Sequence, residues 1–125
     1  MSMSASAVLN LLHRGKILAV KIPARDSSHL AWIGVYPLEM SHETVRQFLR
    51  NHDQAVPLPN TKVYRIRRFE VDRLLIEQDV SLAEPHLENK INSFAYGDED
   101  LKQKLEQDGI RLEHLDNPST ADYPI

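Results

Sequence analysis

Hydrophobic positions along this chain switch between two periods. Over residues 16–22, Leu18, Val20 and Ile22 alternate with other residues on one face, which predicts a strand that Pro23 ends. Residues 30–36 are apolar on both faces, with Pro37 as the expected stop. A strand of that kind belongs near the middle of a sheet with both sides covered. The polar connection between them, residues 24–29, carries the turn-forming Asp26, Ser27 and Ser28, so the two strands are expected to pair antiparallel. Residues 62–71 are rich in β-branched and aromatic side chains, although arginines fall on both faces. Residues 91–96 form another strand, ended by Gly97. The run 72–80 is short and apolar enough to suit strand or helix, and strand is the favoured reading.

Helical spacing appears in three places. In residues 4–14, Val8, Leu11 and Leu12 share a face, Ser4 or Ser6 can cap, and Gly15 stops the helix. In residues 41–53, Ser41 is the expected N-cap, Glu43 complements the dipole, and Val45, Phe48, Leu49 and His52 make one stripe. In residues 98–108, Asp98 is the expected cap, with Glu99 and Asp100 in the first turn. Asp98–Lys102 and Asp100–Lys104 are i, i+4 pairs, and Gly109 followed by Ile110 suits a Schellman ending. Only Leu101 and Leu105 form its apolar stripe, so most of this helix should face water.

Sequential strands with a few helices predict an α+β fold: one mostly antiparallel sheet of about four to five strands with two or three helices packed on it. Residues 1–125 are expected to form a single domain, with 116–125 as an extended or partly disordered tail unless Tyr123 and Ile125 dock. The double-proline segment 55–60 is a rigid connector, too short to divide two domains.

Composition adds less than charge distribution does. The chain is 42% hydrophobic and 26% charged, as a folded globular protein should be. It has no cysteine, which removes disulfides and thiolate chemistry and fits a reducing compartment. No positively charged leader precedes an apolar core, and the longest apolar run is far below the ~18 residues that span a bilayer, so a cytoplasmic location is expected. Net charge is −3, yet residues 1–75 hold 11 Lys/Arg against 6 Asp/Glu, while residues 76–125 hold 4 against 12. Such asymmetry can mark an electrostatic partner surface, or it can vanish when the halves intermix in space.

Candidate chemistry is sparse. The nearest two of the six histidines, His42 and His52, stand ten residues apart, so no local metal motif exists and no metal or cofactor is expected. The four glycines make no phosphate-cradling loop, and no serine sits in a nucleophile elbow. Asp98 and Asp100 have a cation-binding spacing without the rest of a calcium loop. Arg65, Arg67, Arg68 and Arg73 with Tyr64 are a candidate nucleic-acid surface, since arginine and aromatics on a sheet suit stacked bases and phosphates. The plainer alternative is that these arginines pair with the acidic second half. Asp98, Glu99, Asp100, Glu106, Asp108 and Glu113, with Asp116, are a candidate acidic face able to steer a basic partner. The plainer alternative here is a solvated surface.

In profile the chain is small, acidic, cysteine-free, α+β and without a catalytic constellation. That resembles bacterial immunity proteins that inhibit delivered toxins, a resemblance of type that carries no residues over. The expected function is therefore a non-enzymatic, protein-binding inhibitor that covers the active site of a toxin domain, such as a nuclease, with the 98–116 region. Two alternatives stay open: a nucleic-acid-binding module using the arginine cluster, and a small enzyme whose site forms only on folding, with His29 or His86 supplied by loops.

Overall fold

A computed structural model describes residues 3–125. The architecture is α+β, with one four-stranded antiparallel sheet and four α-helices. The strands are β1 (Leu18–Ile22), β2 (His29–Leu38), β3 (Val63–Asp72) and β4 (Glu88–Tyr96), and they lie side by side in chain order. The helices are α1 (Ala5–His13), α2 (Glu43–Asn51), α3 (Arg73–Glu77) and α4 (Asp98–Gln107). Single 3-10 turns follow at Glu84–His86 and Leu112–His114.

Alternation along the strands sorts side chains onto two covered faces. On the first, Leu18, Ile33, Val35, Tyr64, Ile66 and Ala95 pack against Val8 and Leu12 of α1, Leu101 and Leu105 of α4, and Leu112 and Leu115 beyond it. The second face has two clusters. Met40, Leu49, Val63 and Phe94 form one beneath α2, and Trp32, Phe69, Val71 and Leu87 form the other, with Leu75, Ile76 and Tyr123 against it.

Local signals place most boundaries. Ser4 caps α1, its side chain accepting from the Ala7 amide at 3.2 Å. Gly109 has φ 74° after α4, and the Ile110 amide donates to the Leu105 carbonyl at 3.0 Å, closing the Schellman motif.

Four expectations need correction. The segment after β3 is helix α3 rather than a strand: Asp72 accepts from the Leu74 amide at 2.9 Å, which starts a helical turn where a ladder would have continued. Pro37 does not end β2. Its partner β1 begins at Leu18 opposite Val35, so beyond Val35 the β2 edge has no neighbour on that side and the missing N–H costs no ladder bond. Ser41 does not cap α2; it donates to Glu39 at 3.4 Å, and His42 stands at the cap without a side-chain bond. Asp98 does not cap α4 either. Gly97, with φ 96°, occupies that position, which frees the Asp98 carboxylate for partners elsewhere.

The tail changes faces. Ala19 and Asp116 exchange both backbone hydrogen bonds at 2.9 Å, covering part of the outer edge of β1. The chain then crosses to the second face, where the Trp32 indole donates to the Ala121 carbonyl at 2.8 Å and the Tyr123 ring lies over Gly34. At the opposite edge, Asp100 and Lys104 of α4 engage the Tyr96 amide and the Phe94 carbonyl at 2.9 and 2.6 Å. Residues 89–92, earlier in β4, remain exposed, and Ile91 is 57% exposed there.

A Cβ at Gly34 would overlap the Tyr123 hydroxyl and stand 2.7 Å from Cζ. Gly34→Ala is therefore expected to cost about 1–3 kcal/mol by overpacking. In a Tyr123→Leu background most of that cost should disappear, and urea denaturation of the four proteins in the cycle measures the coupling.

Candidate functional site

The arginine cluster divides between the faces because β3 alternates. Tyr64 and Arg68 lie on the α1/α4 side, and Arg65 and Arg67 on the other. Tyr64 is buried. Arg68 pairs with Asp108 at 3.3 Å. Arg73, at the start of α3, donates to the Ser27 carbonyl at 2.9 Å. The five residues thus form no common surface for one ligand. Only Arg65 and Arg67 share a locality. Arg65 lies over the rings of Phe48 and Tyr36, at 5.1 and 6.0 Å, and donates to Asn92 at 3.0 Å. Arg67 is buried and paired with Glu84. Burial opposes its charge, but the Glu84 hydrogen bond and charge outweigh that and raise its pKa.

The acidic region is also partly committed. Asp98 accepts from the Tyr64 hydroxyl at 2.5 Å and has His13 Nε2 at 2.8 Å. Burial first, and then Asp98, push the Tyr64 pKa up, so this phenol is a neutral donor at ordinary pH. Asp100 accepts from the Tyr96 amide and from Lys104, and its pKa is lowered by those contacts against an opposing desolvation. Asp108 meets Arg68. Glu113 is half-buried beside an open groove of about 480 Å³ that runs between β1 and the 109–116 segment. Glu99 and Glu106 point into solvent and, among the described residues, have no ion-pair partner.

Two further constellations come from folding alone. The Tyr64–Asp98–His13 chain joins β3, α4 and α1, and its two ends, Tyr64 and His13, line a cavity of about 360 Å³ together with Leu12, Pro37, Glu39 and Lys62. At the other end of the sheet, the β1–β2 loop forms a polar clasp. His29 Nδ1 lies 2.8 Å from Asp26, and His29 Nε2 lies 2.7 Å from Arg25 and 3.3 Å from Glu88. Buried Glu70 accepts from the Arg25 amide at 2.7 Å and from Asn89 at 2.5 Å. Both histidine nitrogens are occupied within the clasp, which fixes the ring. His86 is turned back on its own chain, accepting from the Ala83 amide at 2.9 Å. His52, expected on the α2 stripe, is exposed at its C-terminus with Nδ1 2.9 Å from the Phe48 carbonyl. Among the described residues, no group of three or more His, Asp or Glu side chains could hold a metal ion. Among the described residues no helix is long and apolar enough to cross a membrane.

Sequence spacing had no means of finding His13, Tyr36, Glu84, Asn92 or Tyr123 as neighbours of the named residues, since each arrives from a distant part of the chain. The one available signal was Tyr123, a large aromatic in an otherwise polar tail.

The Asp26 hydrogen bond raises the His29 pKa against desolvation, so the clasp's contribution is full below the ordinary histidine value of 6.5 and fades as pH rises through the higher folded value. The stability difference between the wild type and His29→Gln should therefore shrink between about pH 6 and pH 8 in thermal melts. Asp26 is lowered to about 2, first by Ser28 and then by His29, so its contribution holds above 3.8 and is lost as pH falls towards 2. Separately, Tyr64→Phe removes a hydrogen bond to a carboxylate and should cost about 1.5–3 kcal/mol by urea denaturation. No family model matches the chain, and the comparisons with curated proteins and with solved structures find no match.

Proposed function

We propose that this protein acts by binding another protein, as an immunity-type inhibitor that masks the basic active-site cleft of a toxin domain, such as a nuclease, in the cytoplasm. One observation carries this reading. Helix α4 commits only Leu101 and Leu105 to the core, while Glu99 and Glu106 stand on its solvent side without an intramolecular partner among the described residues. Unpaired carboxylates on a helix face steer a cationic partner and are free to pair with its lysines and arginines.

The contact set is narrower than the full acidic run. Asp98, Asp100 and Asp108 already serve internal partners and Glu113 sits beside the groove at β1, so Glu99 and Glu106 carry the electrostatic attraction. The adjacent open stretch of β4, with Ile91 exposed, supplies an apolar and backbone component beside the charge.

The tagged chain, purified from its native cell at moderate salt, is expected to retain one protein stoichiometrically and to suppress that protein's activity. The double variant Glu99→Gln/Glu106→Gln should weaken that complex by about tenfold or more while melting at an unchanged temperature. Unaltered affinity in the double variant removes the acidic face from the mechanism. Recovery of nucleic acid alone removes the inhibitor reading.

A further inference from the structure

On the second face of the sheet, α2 covers one end and the 73–87 segment covers the other. Between them runs a strip of residues set by register. Gly34, Arg67 and Asn92 lie in one row across β2, β3 and β4, and Tyr36, Arg65 and Phe94 lie in the next. Tyr123 lies over Gly34, with its hydroxyl bonded to that of Tyr36.

The strip is over-supplied with cations. Arg67 is only 7% exposed, yet among the described residues its sole ion-pair partner is Glu84, and its Nε is buried with no hydrogen-bond partner there. Among the described residues Arg65 forms no ion pair of its own; it rests on the Phe48 and Tyr36 rings and on the neutral oxygen of Asn92, with Glu84 as its neighbouring negative charge. Lys90 stands 3.6 Å from the other oxygen of the same Glu84. Three cations thus share one carboxylate. A buried guanidinium with an unsatisfied N–H is an expensive arrangement to keep without a use. Glu84 itself is poorly anchored: its side chain is 59% exposed on a single 3-10 turn.

We propose that Arg65, Arg67 and Lys90 form a binding site for a phosphate dianion, free or as a phosphomonoester, which Glu84 occupies as an internal stand-in. The incoming group displaces the Glu84 carboxylate, takes Arg67 through its fork, and gains Arg65 from the side and Lys90 from the rim. The local balance, three positive charges against one negative, suits a dianion better than a single carboxylate. The paired Tyr36 and Tyr123 hydroxyls have one proton left after bonding to each other, a further donor next to the two arginines. The site uses the opposite face from α4 and is independent of the inhibitor reading.

The test is a titration of the whole chain with inorganic phosphate at low salt, followed through the Nε–H resonances of Arg65 and Arg67. Both signals should move saturably. Glu84→Gln removes the competitor and should tighten binding by about tenfold, and Arg65→Gln should weaken it by a similar factor. Glu84→Gln leaves buried Arg67 without its ion-pair partner and Arg65→Gln loses its ring contacts, so both variants should melt below the wild type, and each is titrated at a temperature where circular dichroism shows it folded. Methyl phosphate in a parallel titration separates the two sources: tighter binding than inorganic phosphate assigns a monoester, and weaker binding assigns the free ion. The proposal is overturned by absence of a saturable shift, by indifference to both substitutions, or by acetate binding as tightly as phosphate. It is also overturned if a single-stranded RNA binds at these arginines and phosphate does not compete with it.

Discussion

The ladder between β2 and β3 runs ten residue pairs, from His29–Asp72 to Leu38–Val63, and the rest of the molecule is arranged around it. Both strands are interior to the sheet and carry large apolar side chains on both surfaces. Trp32 and Phe69 meet on one side, with ring centroids 6.0 Å apart, while Ile33, Val35 and Ile66 face the other. A sheet of four strands exposes too much of such surface to leave either side open. The chain before β1 and after β4 covers the first side. The connections on either side of β3 cover the ends of the second, and the tail closes its middle.

That demand for cover explains where the polar groups ended up. On β3 two arginines spaced two residues apart, Arg65 and Arg67, would ordinarily mark a solvent-facing stretch. Here the face is roofed at both ends, so Arg67 is enclosed and Arg65 lies against aromatic rings. Guanidinium tolerates this better than an ammonium would, because its charge is delocalised and its flat faces stack. At the sheet ends the same pressure is met differently. The β1–β2 loop folds Arg25, Asp26 and His29 over buried Glu70, and Tyr64 reaches Asp98 across the first core. Each device pairs a buried polar atom with a partner brought from another element, as a low-dielectric interior requires.

The two electrostatic surfaces differ in kind. On α4, the charge of Glu99 and Glu106 is exposed and solvated. On the strip of β3, charge is enclosed, stacked and incompletely satisfied, and it acts only on a group small enough to replace Glu84. Asymmetry along the sequence survives folding only in part, since Arg67 with Glu84 and Arg68 with Asp108 join the basic half to the acidic half.

Period and punctuation determined the α+β class, all four strands with limits within about three residues, and helices α1, α2 and α4. The reason is that alternation, capping serine and a left-handed glycine act within a few residues of themselves. Tertiary structure decided what depends on neighbours. It let Pro37 stay inside β2 because β1 had not yet begun beside it, and it turned residues after Asp72 into helix. It also separated Tyr64 and Arg68 from Arg65 and Arg67. Every one of the last four is adjacent or nearly so in the chain, and strand geometry sends successive side chains to opposite faces, so closeness in sequence could not place them together. The partners that give each of them its chemistry, Asp98, Asp108, Asn92 and Glu84, come from 17 to 40 residues away along the chain, and only the packed sheet brings them within reach.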